Sequence, residues 1–339
     1  MPELVLIANA ADATISTFTL DGDALTPLAT SALSGSCSTF AVDADRDLVF
    51  AAVKGEPPAI LTLALDRASG TLTELRRTDC DAAQTYVTLA PSGEALLGAA
   101  YHAGVGTLWP VIDGHLDPPT ATLSYPNLHC VITSSDGRHA YFVSLGADLV
   151  AQFALDGATL APLDPPSVAA PEGSGPRHLV LAPDERSAYL VTEFSGEVIR
   201  FDRDAESGVL TPAEQVTIVD PDAHLTHSRF GADPIAEHLI WGADVHVAGA
   251  FVLASERSAS TLASVALDAD GHLTEVVDLV PTEAQPRGFA VTPDGTRAVV
   301  VGEKSTTATL YGIDASGRLS VLDTAPTGRG ANWVRVLSA

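Results

Sequence analysis

Residues 177–193, RHLVLAPDERSAYLVTE, indicate the fold most directly: they consist of an apolar run, a polar turn near Asp184 and a second apolar run. Two apolar runs around such a turn predict an antiparallel hairpin. The same pattern begins again at Arg287, as RGFAVTPDGTRAVVVGE. Further copies are STFAVDADRDLVFAAV from Ser38, YVTLAPSGEALLGAAY from Tyr86, CVITSSDGRHAYFVSL from Cys130 and ADVHVAGAFVLASER from Ala243.

The spacing of these copies predicts the size of the repeating unit. Most recur at intervals of roughly 44 to 48 residues, the length of a four-stranded propeller blade. Each hairpin is followed by a second one with glycine at its turn, such as LASVALDADGHLTEVVDL from Leu262. The long interval between Arg177 and Arg287 holds the copy from Ala243, which follows an insertion at residues 221–241. The sequence therefore predicts an all-β protein with blades of four antiparallel strands.

The first and last segments predict how the blades close into a ring. Residues 332–337 have the pattern of a single inner strand, whereas the chain begins with patterns typical of later strands, LVLIANA and TISTFTL. One blade is then shared by the N- and C-terminal strands, and their pairing removes exposed sheet edges. Six complete units and the shared one predict a seven-bladed β-propeller, in a single domain over residues 1–339. A ring of six or eight blades is the alternative, if the insertion hides a miscounted unit.

The acidic composition excludes several classes of partner. The formal net charge is −25 at pH 7, and nucleic acids and anionic membranes demand a basic surface. We therefore expect no nucleic-acid partner and no membrane partner. Lys54 and Lys304 are the only lysines, so arginine supplies nearly all the positive charge. The acidity is explained either by solubility in salt or by ordinary surface composition.

The cysteines and the first residues argue against a disulfide framework, a metal site and an export signal. Cys37, Cys80 and Cys130 lie far apart and lack the spacing of linked or zinc-binding cysteines. The opening MPELVLI has no basic segment, and its apolar run is too short for a signal peptide or a membrane span. We expect a cytoplasmic protein with no metal and no cofactor.

Charged residues fall at one end of the predicted blades. Because successive strands are antiparallel, the start of an inner strand and the end of the second strand lie at the same face of the ring. Arg177 opens an inner strand and Glu193 closes its partner, while Arg257 and Arg287 take related positions in the next two blades. We therefore expect a small-molecule site at the mouth of the central channel. Other residues expected at this face are His102, His129, His178, Glu303 and Lys304.

These residues also have structural interpretations. Arg177 and Arg287 follow prolines, and the alternative is that they cap backbone carbonyls. Glu193 has the alternative of a structural salt bridge, but buried bridges stabilise poorly, which favours a functional role. His178 and His246 alternate with apolar neighbours, a pattern equally typical of core histidines.

Arginines around one carboxylate suit an anionic substrate or a carbonyl that develops negative charge. A lactone meets this description, because attack of water creates an oxyanion that arginine stabilises, while Glu193 or His129 transfers the proton. The sequence lacks GxSxG, HExxH, a phosphate-binding loop and a dinucleotide fingerprint. This disfavours serine hydrolases, zincins, kinases and dehydrogenases.

Four motifs taken together are similar to one known family. They resemble the seven-bladed propeller lactonases, which include the propeller-type 6-phosphogluconolactonases and the fungal 3-carboxy-cis,cis-muconate lactonizing enzymes. The similarity extends over nearly the whole chain and is strongest from Gly173 onward, whereas several loops of the N-terminal half depart from the pattern. The motifs are GSGPRHLVLAPDERSAYLVTE from Gly173, WGADVH from Trp241, SERSAS from Ser255 and TEAQPRGFAVTPDG from Thr282.

The resemblance implies a metal-independent enzyme whose active-site residues fall on His129, Arg177, Glu193 and Arg257. We predict a lactonase that opens an aldonolactone, with or without a phosphate: the two arginines bind substrate, Glu193 is the general base and His129 positions substrate or water. The alternatives are a muconate-type cycloisomerase and a non-catalytic interaction platform. The pattern indicates no particular oligomeric state. Further residues expected to bind the anionic lactone are His102, His178, His246, Gln285, Arg287 and Lys304.

Overall fold

The computed structural model describes residues 2–338, which form almost entirely β structure. The strands pair into seven sheets, and the inner strand of each sheet lies against the inner strands of its two neighbours, so that the sheets close into a ring. The predicted seven-bladed β-propeller is confirmed, and the six- and eight-bladed alternatives are wrong. Within the described residues, no helix combines the length and the apolar character needed to cross a membrane.

Each blade runs from an inner strand beside the central channel to an outer strand at the periphery. Blade 1 contains β1 (Glu3–Asn9), β2 (Thr14–Asp21) and β3 (Ala24–Ala32). Blade 2 contains β4 (Ser36–Asp43), β5 (Leu48–Lys54), β6 (Ala59–Asp66) and β7 (Thr71–Asp79). Blade 3 contains β8 (Tyr86–Leu89), β9 (Ala95–Ala100) and β10 (Val105–Ile112), with an outer strand divided into β11 (His115–Leu116) and β12 (Ala121–Ser124).

The next four blades repeat this order along the chain. Blade 4 contains β13 (Leu128–Thr133), β14 (His139–Ser144), β15 (Leu149–Asp156) and β16 (Thr159–Ala169). Blade 5 contains β17 (Pro176–Leu181), β18 (Ser187–Thr192), β19 (Glu197–Arg203) and β20 (Leu210–Thr217). Blade 6 contains β21 (Gly242–Ala248), β22 (Phe251–Glu256), β23 (Thr261–Leu267) and β24 (Leu273–Pro281). Blade 7 contains β25 (Gly288–Val291), β26 (Arg297–Val301), β27 (Thr307–Ile313) and β28 (Leu319–Pro326).

The last strand, β29 (Ala331–Leu337), supplies the inner strand of blade 1. It pairs antiparallel with β1, with Val5 opposite Val336. Trp333 of this strand also donates a hydrogen bond from Nε1 to the carbonyl oxygen of Phe40 in blade 2, at 3.0 Å. The predicted sharing of one blade between the N- and C-terminal strands is therefore confirmed.

Apolar clusters fill the spaces between neighbouring blades. Between blades 1 and 2, Leu6 packs in one cluster with Phe40 and Leu61, and all three are fully buried. Burial of a side chain of this size stabilises a fold by about 1.5–3 kcal/mol. The outer strands, in contrast, are largely exposed, as the burial pattern of β7 shows. The core therefore lies between the inner halves of the blades and leaves the channel mouth available for polar groups.

A β-bulge recurs near the start of the inner strands, at the face that we call the top face. The pairing register skips Ser38 in β4, His129 in β13, Arg177 in β17 and Asn332 in β29. In β21 the register shifts between Gly242 and Val245. A bulge leaves one residue out of the ladder and changes the direction of its side chain. The repeat thus presents one side chain per bulged strand at the same level of the ring.

The insertion at residues 221–241 lies at the top face beside blade 5. It begins with a short 3-10 helix, Pro221–Ala223, and a single bridge joins Thr226 to Leu239. The amide of Ser228 donates to the carbonyl oxygen of Phe194, which follows β18, at 2.9 Å. The segment ends at Trp241, directly before β21, and so leads the chain to the channel mouth.

Candidate active site

Two positions of the repeat supply most residues of a cavity of about 240 Å³ at the top face. The first position opens the inner strand, and the second lies at or just after the end of the strand paired with it. Because the two strands are antiparallel, both positions meet at the same end of the blade. The first position contributes Ser38, Thr85, His129, Arg177 and Arg287, and the second contributes Lys54, Tyr101, Glu193 and Arg257. The remaining lining residues are Ala83, Gln84, His102 and Trp241.

Arg177 and Glu193 form the buried centre of this site. The side chain of Arg177 is only 1% exposed, and its Nε donates to Glu193 Oε2 at 2.9 Å. Its Nη1 also donates to the carbonyl oxygen of Ala243 in blade 6. Burial lowers the pKa of Arg177, and the negative charge of Glu193 acts in the opposite direction. The pair therefore holds a desolvated guanidinium in a fixed orientation at the cavity wall.

Arg257 binds the same carboxylate from the neighbouring blade. Its Nη2 donates to Glu193 Oε2 at 3.0 Å, and its guanidinium lies 3.6 Å from the ring centroid of Trp241. Burial is the main cause that lowers the pKa of Arg257 to about 9, so the group is still protonated at neutral pH. Because both arginines bind Oε2, the second oxygen of Glu193, Oε1, remains available to a ligand or a water molecule.

His129 is a neutral imidazole at the cavity wall. Its side chain is buried, and its Nδ1 has no hydrogen-bond partner among residues 2–338. Burial first, and then the positive charge of Arg177, hold the pKa of His129 well below its usual value. Tyr101 packs edge-on against this ring, with centroids 5.6 Å apart. At neutral pH His129 is therefore able to accept or donate one hydrogen bond without adding charge.

The rest of the cavity is rich in cations. Arg287 donates to Glu303 Oε1 at 3.1 Å; burial raises the pKa of Glu303, but the Arg287 charge and further arginines outweigh it and lower this pKa overall. Lys54 and His102 are exposed at the rim. Four cations line the cavity, and Glu193 and Glu303 are the carboxylates that pair with three of them. Two positive charges therefore remain unbalanced in a strongly acidic protein.

The structure places four predicted substrate-binding residues outside this cavity. His178 and His246 line a second cavity, of about 310 Å³, together with turn residues of the opposite face such as Pro91 and Ser135. The bulge explains this outcome for His178: Arg177 leaves the ladder, so the two neighbouring side chains face different ends of the channel. Gln285 does not line the cavity, and its backbone N–H donates to Ser260 Oγ at 3.1 Å. Lys304 follows Glu303 but is exposed and does not line the cavity.

Other cavity residues were not singled out from the sequence. Ser38 and Thr85 hold the same repeat position as Arg177, and this correspondence in the sequence could have identified them as cavity residues. Lys54 similarly corresponds to Glu193. Trp241 lies in the motif WGADVH, but nothing in that motif indicated its contact with Arg257. No cluster of three or more metal-ligating side chains occurs in residues 2–338.

Comparisons with known proteins identify the family of the chain. The family model "Lactonase, 7-bladed beta-propeller" matches residues 5–336. A Serratia proteamaculans protein named 6-phosphogluconolactonase is 28% identical over 100% of both chains, and one from Pectobacterium carotovorum with the same name is 29% identical over 82% of both. The structure of a Pseudomonas aeruginosa periplasmic gluconolactonase superimposes with a TM-score of 0.86 at 25% identity, covering 100% of this chain and 99% of that one. The chain thus belongs to the seven-bladed β-propeller lactonase family.

Proposed function

We propose that the protein hydrolyses the ester bond of a sugar lactone and that its preferred substrate carries a phosphate group. The observation that carries this proposal is the buried cluster of Arg177, Arg257 and Glu193, which presents fixed cations and a carboxylate to one cavity. The relatives named 6-phosphogluconolactonase support the same reaction class. They also favour hydrolysis over the cycloisomerase and the interaction platform.

The geometry suggests a role for each group in lactone opening. Glu193 Oε1 takes a proton from water as the water oxygen attacks the lactone carbonyl carbon. Arg177 and Arg257 stabilise the oxyanion that forms on the carbonyl oxygen, because a fixed cation in a buried site acts strongly on developing charge. The bond from the carbonyl carbon to the ring oxygen then breaks, and the ring oxygen receives the proton that Glu193 took from the water. His129, being neutral, orients the water or the substrate.

The arginines supply the positive charge that a metal ion provides in other hydrolases. We therefore propose that the reaction is independent of metal ions. Activity that persists after dialysis against a chelator supports this assignment, and activity that is lost and then restored by one added metal contradicts it.

Lys54 is the candidate for binding the phosphate. It lies in blade 2, across the ring from Arg177 and Glu193 in blade 5, and it makes no salt bridge within residues 2–338. A phosphate is doubly charged near neutral pH, and the cavity carries two unbalanced positive charges. A substrate that spans the channel mouth would therefore place its ester at Arg177 and its phosphate near Lys54.

The deciding experiment compares gluconolactone with its 6-phosphate by proton release in weak buffer, with spontaneous opening subtracted. Wild-type protein is expected to open the phosphorylated lactone with the higher kcat/KM. Lys54→Gln is expected to raise KM for that substrate roughly tenfold and to leave gluconolactone unaffected, as loss of one exposed charge contact predicts. Lys304→Gln is the matched control, because Lys304 lies outside the cavity. Equal effects of Lys54→Gln on both lactones would remove Lys54 from phosphate binding, and no turnover of either would reject the lactonase proposal.

Two further properties predicted from the sequence belong to this proposal. We propose a cytoplasmic location, which fractionation of the native host tests directly; the Pseudomonas aeruginosa gluconolactonase, in contrast, is described as periplasmic.

We also propose that residues 1–339 behave as a single domain, because the pairing of β29 with β1 joins the last segment to the first.

A further inference from the structure

Arg177 is held on its buried side by a chain of groups that do not line the active-site cavity. His178 Nε2 lies 3.3 Å from Arg177 Nη1, and His178 Nδ1 lies 2.7 Å from Asp244 Oδ1. The side chains of His178 and Asp244 are only 4% and 7% exposed. The three residues therefore form a continuous buried path from blade 6 to the guanidinium at the cavity wall.

The donors and acceptors in this path fix the tautomer of His178. A carboxylate only accepts, so His178 Nδ1 carries the proton and donates it to Asp244. Burial and the adjacent Arg177 charge lower the pKa of His178 to about 4, against the attraction of Asp244. The ring is therefore neutral near pH 7, and its Nε2 has a free lone pair. That lone pair accepts the hydrogen bond from Arg177 Nη1.

Asp244 is itself held by groups from two blades. Its Oδ1 accepts from the amide of Val245 at 3.0 Å, and its Oδ2 accepts from the amide of Phe289 in blade 7 at 3.2 Å. His246 Nε2 lies 3.3 Å from Oδ2. Burial raises the pKa of Asp244, but the two histidines outweigh it and hold this pKa well below its usual value. The carboxylate is thus ionised and rigidly placed.

We infer that Asp244 and His178 are positioning residues that orient the guanidinium of Arg177 for the lactone. This inference rests on the proposed function. The Asp244 carboxylate selects the His178 tautomer whose Nε2 accepts from Arg177, in the way that a buried aspartate selects the histidine tautomer in serine proteases. With Nε fixed by Glu193 and Nη1 by Ala243 and His178, the remaining nitrogen, Nη2, is directed to the ligand.

The test uses Asp244→Asn in the full chain. An asparagine amide can donate to His178 Nδ1, which favours the Nε2–H tautomer. His178 Nε2–H and Arg177 Nη1–H are then both donors and cannot form a hydrogen bond with each other. We expect kcat for the lactone to fall roughly 10²-fold, as small misplacements of a catalytic group do, with KM changing less than threefold. ¹⁵N-resolved NMR of the histidine rings is expected to show His178 as the Nδ1–H tautomer in the wild type and as Nε2–H in the variant.

A double-mutant cycle separates positioning from a general loss of structure. If Asp244 acts through Arg177, then Asp244→Asn adds little to the loss caused by Arg177→Ala, whereas independent effects multiply. Asp323→Asn is the matched control: Asp323 Oδ2 accepts the Leu25 amide of the adjacent blade at 2.8 Å, without a histidine. It is expected to leave kcat unchanged.

Two results would overturn the inference. The first is an Nε2–H tautomer in the wild-type protein, which can be observed whether or not any lactone is turned over. The second is a full, multiplicative loss of kcat from Asp244→Asn in the Arg177→Ala background. A wild-type protein that opens no lactone but shows the Nδ1–H tautomer would instead reject the proposed function and leave the buried path intact.

Discussion

The guanidinium of Arg257 lies 3.6 Å from the ring centroid of Trp241 while it donates to Glu193 at 3.0 Å. One face of the cation is thus covered by an aromatic surface, and one edge is bound by a carboxylate. Trp241 is the last residue of the insertion, so the least regular part of the chain completes the most buried part of the site. The insertion therefore contributes directly to the site through its final residue.

Trp241→Leu is expected to lower kcat/KM roughly 2- to 30-fold, because a cation–π contact of an arginine contributes about 0.5–2 kcal/mol. Trp241→Phe keeps an aromatic face and should retain most of the activity. Steady-state kinetics on the preferred lactone measure both. A leucine variant as active as the phenylalanine variant would show that the ring face is unimportant to Arg257.

Glu193→Gln is expected to reduce kcat roughly 10²-fold or more, because the amide cannot take a proton from water. The arginines would still find one acceptor oxygen, so the fold should persist. Glu197→Gln is the matched control, since Glu197 lies nearby in β19 and binds Ser195 Oγ at 2.7 Å outside the cavity. Unchanged turnover in Glu193→Gln would assign the base role to another group, with His129 the next to replace.

The buried histidines predict how stability depends on pH. The pKa of His178 is about 4 in the folded protein and about 6.5 when unfolded. Above pH 6.5 both states are neutral, so this group adds no pH dependence. As pH falls from 6.5 towards 4, only the unfolded state binds the proton, and the free energy of unfolding drops by up to about 1.4 kcal/mol per pH unit.

Denaturant unfolding of wild type and His178→Gln at pH 7, 6 and 5 isolates this effect. The variant is expected to have the shallower pH dependence, whatever its absolute stability, because the other titrating groups are shared. Parallel curves for the two proteins would mean that folding does not lower the pKa of His178.

Because β29 closes the ring, replacing Trp333 in this strand is expected to lower the free energy of unfolding. Trp333→Phe removes the donor to the Phe40 carbonyl oxygen and is expected to cost about 1–3 kcal/mol through the unsatisfied group, in addition to the lost packing. Trp109→Phe, in the core of blade 3, provides the packing loss for comparison. Circular dichroism and fluorescence should report one coincident transition for the wild type; two separate transitions would contradict a single domain.

Much of the ring was predictable because each repeat shows two independent features of a hairpin: apolar runs of strand length, and polar or glycine-containing turns between them. The copies from Arg177 and Arg287 coincide with the first two strands of blades 5 and 7. The sequence was sufficient to predict that Arg177, Glu193 and Arg257 lie close together, because antiparallel pairing determines which strand ends meet. The structure adds that both arginines bind the same oxygen of Glu193.

The other features depend on register and on contacts between blades, which a periodic pattern does not record. The alternation of apolar and polar residues does not show that Arg177 lies outside the pairing ladder. It therefore does not predict that the side chains of Arg177 and His178 face different ends of the channel. Asp244 occupies the repeat position of His178 one blade later, and only the curvature of the ring brings the two within 2.7 Å. Trp241 likewise gains its role from a segment outside the repeat.

The shared blade has a consequence for how the protein is made. β29 follows every other described strand along the chain, so blade 1 lacks its inner strand until blades 2 to 7 have been synthesised. Until then the hydrogen-bonding edge of β1 is open to any other strand nearby, including one from another nascent chain. Blades 2 to 7 can assemble as they emerge, whereas closure must wait for β29. The rate of that final pairing then sets how long each new chain is exposed to mispairing.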